Sequence, residues 1–173
     1  NSEEFQKKIS HINCDLDVSM SFDQIFKKRI LSLPSLGIIN CHAGNLPFYR
    51  GRNILNWVLI NDEKEFGITV HFVDEGIDTG EIIAREQIEI SQGMTQQNVL
   101  MQTAVIGAQL LDDAGKKLLS GERLQGIQAE EREEDKYYPM PGSDAFESYF
   151  KRRRYFRIRD IIKSIKKSSS EKH

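Results

Sequence analysis

The chain has 173 residues, of which 39% are hydrophobic and 29% charged, and its formal net charge is −2. That composition fits a soluble globular protein of one domain, long enough to bury a core and short for two. No segment approaches the ~18 consecutive apolar residues that a membrane span needs.

The first thirteen residues, Asn1 to Asn13, are a polar lead. Asp17 to Ser21 reads as a short strand, and Asp23 to Leu31 as a helix that ends near Pro34. Gly37 to His42 is a near-continuous apolar run, the pattern of a strand buried on both faces of a parallel sheet. A helix follows over about Arg52 to Asn61, on which Trp57 falls three residues after Ile54 and so reads as core rather than as a stacking platform. Ile68, Val70 and Phe72 alternate with Thr69, His71 and Val73 in the next strand, and Ile82 to Ile90 forms one more. A long helix runs from about Thr95 to Ser120, with Val99, Thr103, Ile106, Leu110, Ala114 and Leu118 on one stripe and Gly121 just past its end. Strands alternating with helices predict an α/β domain on a doubly wound, mostly parallel sheet, whose ligands bind beyond the carboxyl ends of the strands.

The core is expected to span residues 1–129, with 130–173 as a C-terminal extension. Glu130 to Asp135 is an acidic linker. Tyr137 to Gly142 holds two prolines and a glycine, which should exclude regular structure. From Lys151 to Lys172 there are ten Lys or Arg against two acids, so the rest of the chain is acidic. Such a tail can face nucleic acid, but Ile158, Ile161, Ile162 and Ile165 recur at spacings of three and four. An amphipathic helix docked on the domain or on a second subunit is therefore the preferred reading, with a homodimer possible and nucleic acid not expected. Two cysteines, Cys14 and Cys41, suggest reduced thiols in a cytoplasmic setting.

The chemistry concentrates at Asn40-Cys41-His42, at Leu46-Pro47-Phe48-Tyr49-Arg50-Gly51, and at Asp74-Glu75-Gly76-Ile77-Asp78-Thr79-Gly80. On a strand, residues two apart share a face, so Asn40 and His42 present their polar heads roughly 6.6 Å apart. Asp78 lies between Gly76 and Gly80, which tolerate the backbone angles needed to bring a carboxylate back toward that pair. An amide to stabilise an oxyanion, an imidazole to move a proton near neutral pH and a carboxylate to orient it suit transfer of a carbonyl group to an amine. His71 is assigned no chemistry. There is no CxxC pair, HExxH, Walker-type loop or GxGxxG, and no metal is expected.

The stretch from Gly37 to Gln87, GIINCHAGNLPFYRGRNILNWVLINDEKEFGITVHFVDEGIDTGEIIAREQ, strongly resembles the 10-formyltetrahydrofolate-dependent formyltransferases. That family carries Asn-x-His, a Leu-Pro-x-Tyr-Arg-Gly loop and an Asp that completes a triad, here Asn40, His42 and Asp78. The resemblance implies attack by a primary amine on the formyl carbon of the folate, without a metal. It also implies a folate slot lined by Phe22, Ile25 and Phe26, with Asp74 and Gly76 nearby, although Phe22, Ile25 and Phe26 read equally well as helix-start core. One departure is Ala43-Gly44-Asn45, where several family members carry a Ser, so no hydroxyl role is assigned there. The run Arg50-Gly51-Arg52 and Leu55-Asn56-Trp57-Val58-Leu59 is most like the nucleotide-sugar N-formyltransferases. On that likeness the substrate is a nucleotide-linked amino sugar held by Tyr49, Arg50 and Arg52, whose arginines could grip phosphates or simply face solvent. The alternatives are a methionyl-tRNA or glycinamide ribonucleotide formyltransferase, or a non-catalytic fragment. The family places several dozen residues ahead of the strand at Asp17, so the resemblance implies missing N-terminal strands and a chain that is part of a longer protein.

Overall fold

In the computed structural model, residues 2–22, 24–91, 94–128, 136–147 and 149–151 are described. Helix α1 (Glu3–Ile12) leads into β1 (Asp17–Met20), and the short α2 (Lys28–Leu31) precedes β2 (Ile38–His42). There follow β3 (Tyr49–Gly51), α3 (Ile54–Ile60), β4 (Glu65–Phe72), β5 (Ile82–Glu89), α4 (Gln96–Leu119) and β6 (Lys136–Tyr138).

Strands β1, β2, β4 and β5 lie side by side in that order, with the α/β architecture that the strand and helix periods predict. Their directions differ from a mostly parallel sheet. β1 and β2 are parallel, whereas β2 with β4 and β4 with β5 are antiparallel. For the last pair the cause is length: nine residues, 73–81, join β4 to β5, and a parallel crossover needs a dozen or more.

Helix α4 lies across one face of the sheet. Its Val99, Leu111, Ala114 and Leu118 pack with Ile39, Cys41, Phe66, Ile68 and Val70, and α3 adds Ile54 and Val58. Thr95 caps the helix by accepting from Asn98 N while Asn98 returns a bond to the Thr95 N–H, which satisfies two of the orphan donors of the first turn. The predicted stripe is buried at Val99, Thr103, Ala114 and Leu118. Ile106 and Leu110 sit half-buried at its margin. A β-carbon at Gly107 would stand 2.7 Å from Cys41 Sγ, so glycine is what lets α4 settle onto β2.

Two local expectations are corrected, and one segment that the sequence reading left unassigned takes a regular form. The polar lead is helical: Ser2 Oγ accepts from Phe5 N, and Glu3 and Glu4 occupy the first turn, where the dipole favours negative charge. Of the helix expected over Asp23 to Leu31, the described residues are helical over Lys28–Leu31 and not over 24–27, and Asp23 lies outside the described residues. Lys27 is extended and gives no side-chain cap, and Phe22 and Phe26 stack on each other at 4.6 Å with Phe5 beyond at 6.4 Å. The segment after the acidic linker forms β6, which pairs in parallel with β3 and stops where Pro139 removes the next N–H donor. Trp57 is half-buried against Tyr138 and donates from Nε1 to Pro139 O at 2.7 Å, so it is a fastening of this segment rather than deep core.

The acidic linker 130–135 and the proposed amphipathic helix of the basic tail lie outside the described residues. Among the described residues no helix is long and apolar enough to cross a membrane, and Cys14 and Cys41 are free thiols.

Candidate active site

The pleat of β2 turns Ile39 and Cys41 into the core and so turns Asn40 and His42 to the opposite face. Antiparallel pairing sets His71 of β4 opposite Asn40 and Thr69 opposite His42. Those two polar residues are as buried as their apolar neighbours, at 2% and 0% exposure, because a loop covers them. Thr69 Oγ1 donates to Gly44 O at 2.7 Å and accepts from Leu46 N at 3.3 Å, which pins the turn that follows His42. A β-carbon at Gly44 would lie 2.5 Å from His42 Nε2, so this turn can pass the imidazole only as glycine.

Asp78 arrives on the 73–81 connection, which braces itself. Asp74 Oδ1 accepts from Gly76 N at 3.0 Å and from Thr79 Oγ1 at 2.7 Å. Gly80 passes so close to β4 that a β-carbon there would stand 1.8 Å from Phe72 O. Asp78 itself is left-handed, at φ 54, and its carboxylate points inward. Oδ1 lies 3.5 Å from His42 Nδ1 and 3.7 Å from His71 Nε2, while Oδ2 accepts from Gly51 N at 3.0 Å. The three groups singled out in the sequence are thus side by side. His42 is 7% exposed, and its Nε2–H donates to Tyr49 O at 2.6 Å.

His71 is the member of the cluster that the sequence did not reveal. Its Nδ1–H donates to Phe72 O at 2.7 Å, which leaves Nε2 as the acceptor for Asn40 Nδ2 at 3.1 Å. This network assigns both the tautomer and the orientation of the amide. Burial pushes the His71 pKa down; the Phe72 bond and the Asp78 and Asp74 charges oppose that, and His42 adds to it. The ring is therefore held neutral. Held this way, Asn40 keeps its second N–H for another acceptor. The available signal was positional: an antiparallel neighbour directly opposite a candidate residue shares its face.

The remaining predicted residues divide. Tyr49 contributes its carbonyl, not its ring, to this cluster. The ring stacks on Tyr138 at 4.9 Å, and the hydroxyl donates to Glu63 Oε1 at 2.6 Å and accepts from Asn61. Burial pushes its phenol well above the ordinary value. Arg50 lies on β3 opposite Tyr137, and Arg52 follows, exposed, with its N–H donating to Tyr138 O at 2.8 Å. Phe22 and Ile25 are exposed and Phe26 is half-buried, forming an apolar surface. Lys28 Nζ, 3.9 Å from Glu75 Oε1, brings that surface's helix next to the Asp74 and Gly76 loop. Asp74 and Gly76 spend their hydrogen bonds inside the loop, which gives them a bracing part.

A family model described as formyl transferase matches residues 1–114. Among curated proteins, the methionyl-tRNA formyltransferase of Clostridioides difficile is 36% identical over 138 residues, covering 80% of this chain and 44% of its own length. That of Caldanaerobacter subterraneus subsp. tengcongensis is 34% identical over 166 residues, covering 96% and 53%. The chain spans about half the length of these relatives. Among solved structures, a sugar N-formyltransferase from Shewanella superposes with a TM-score of 0.67 at 27% identity, covering 81% of this chain and 54% of that one. A phosphoribosylglycinamide formyltransferase from Bacillus halodurans gives 0.64 at 27%, covering 69% and 62%.

Proposed function

The chain belongs to the formyl transferase family, and from that premise we propose that it takes part in moving a formyl group from 10-formyltetrahydrofolate to a primary amine. The observation that carries this reading is the convergence of Asn40, His42 and Asp78, with the carboxylate 3.5 Å from the imidazole. When bound, the folate supplies a formyl carbon already activated on nitrogen. The residues present suit it: the Phe22–Phe26 stack offers an apolar surface for a flat ring, and Asn40 has an N–H to spare.

Each group has a separate task. Asn40, fixed by His71, donates its second N–H to the formyl oxygen as negative charge grows there. His42 takes a proton from the attacking amine at Nε2 in the tautomer that carries its own proton on Nδ1, toward Asp78, once Nε2 has given up its hydrogen bond to the Tyr49 carbonyl. Asp78 stands behind Nδ1, where it orients the ring and offsets its charge once protonated. Burial of the cluster strengthens these interactions relative to water.

For the acceptor we favour the amino group of a nucleotide-linked sugar. Arg50 and Arg52 stand on and just past β3 and have the planar fork that binds phosphate, and the Shewanella neighbour supports the same class. The methionyl-tRNA relatives, at 36% and 34% identity, support a second reading in which the amine belongs to an aminoacylated tRNA.

The test is to incubate the protein at its full natural length with 10-formyltetrahydrofolate and, separately, a panel of amino-sugar nucleotides and methionyl-tRNA, reading formylated product by mass. A formylated amino sugar, absent with His42→Ala, is the expected result. Formylated methionyl-tRNA would select the second acceptor, and transfer to no amine would overturn the assignment.

A further inference from the structure

Residues beyond the stretch matched by the family model touch both supports of the His42–Asp78 pair. Strand β3 holds that pair from two ends: Tyr49 O accepts from His42 Nε2, and Gly51 N donates to Asp78 Oδ2. Strand β3 is three residues long, and a strand that short has no stability of its own. What holds it is β6. Tyr49, Arg50 and Gly51 pair with Lys136, Tyr137 and Tyr138, and Arg52 N donates to Tyr138 O at 2.8 Å. The Tyr138 ring stacks on Tyr49 at 4.9 Å with planes only 6° apart, and lies 5.2 Å from Trp57. Trp57 Nε1 and Asn53 Nδ2 fasten the next two residues through Pro139 O and Met140 Sδ.

Gly51 records how close the two strands run. It has φ 112, and a β-carbon on it would stand 2.3 Å from Tyr138 O, so the glycine of the Leu-Pro-Phe-Tyr-Arg-Gly loop is shaped to β6. The same C-terminal stretch also reaches the carboxylate's own loop. Ile127 exchanges two backbone hydrogen bonds with Ile82, and Gln128 Nε2 donates to Thr79 O at 3.2 Å.

We infer that β6, through Tyr138, is a positioning element for the reacting pair: it fixes β3, and β3 fixes both the imidazole and the carboxylate. Tyr138 touches neither group, so its effect passes through the Tyr49 carbonyl and the Gly51 amide. The inference rests on the functional reading above for its consequence in catalysis, but not for its geometry.

Nuclear magnetic resonance on the nitrogen-15-labelled chain separates the two. In Tyr138→Ala the Gly51 N–H should exchange about tenfold faster, as for a loosened hydrogen bond, and the His42 ring nitrogens should shift. Ile39 and Val70 amides should keep their protection. Tyr138→Phe, which keeps the stack and loses only the bond from Asn61, should restore parent values for both. If Ile39 and Val70 also lose protection, the reading passes to Trp57→Phe, which frees Pro139 without removing a ring from the stack. Parent-like Gly51 exchange and His42 shifts in Tyr138→Ala and Trp57→Phe alike would overturn the inference. In the full-length enzyme, Tyr138→Ala should lower kcat while the KM for the folate stays within about twofold. Resonance changes as expected without formyl transfer to any amine would keep the positioning role and remove the proposed reaction instead.

Discussion

Asn40 and His71 form one device. In the proposed reaction the amide presents one N–H to the developing oxyanion, and the neutral imidazole 3.1 Å away holds the other and so fixes the direction of the first. Asn40→Ala should lower kcat by about 10²–10³, the usual loss for one oxyanion donor, with unfolding by urea showing a folded chain. The His71 shift also fixes a pH dependence. Its pKa is lowered by burial from an unfolded value of about 6.5, so below that pH the unfolded chain binds the proton first. The stabilisation is therefore complete above about pH 6.5 and lost as the pH falls toward the folded value. The groups facing the ring are Asp78, His42 and Asp74, of which only His42 acts in the same direction. The urea midpoint should fall between pH 7.5 and pH 5.5, and fall less in His71→Gln; an equal fall in both would assign the dependence elsewhere.

The contact between α4 and β2 is a packing constraint on a functional strand, because Cys41 lies between Asn40 and His42 and points the opposite way. Gly107→Val would drive a side chain into Cys41 Sγ and should cost about 1–3 kcal/mol by the urea midpoint. It should also disturb the pair on the far side of the strand, seen as a lower kcat. The apolar run of β2, the stripe of α4 and the glycine-flanked Asp78 were legible because each is a local pattern with a physical period or a turn residue. Strand β6 was not. Two prolines after Tyr138 argued against a strand, and its reason to form is a partner more than eighty residues away. The helix expected from Asp23 is shorter than its pattern because Lys27 is extended and gives no side-chain cap, so the helix begins only at Lys28. His71 was hidden because register, not sequence, places it opposite Asn40.

The fold brings the chemistry together from four separate elements, each held by a different cause. β2 is fixed by the core, β4 by burial on both faces, the Asp78 loop by its own Asp74 bonds, and β3 by the strand that follows α4. Arranged so, the imidazole and the carboxylate should act as one unit rather than as two independent contributors. The most direct test is a double-mutant cycle on kcat/KM for formyl transfer in the full-length enzyme, with His42→Ala, Asp78→Ala and the two combined. The double variant should be no slower than the worse single variant. Losses that simply multiply would contradict a shared site.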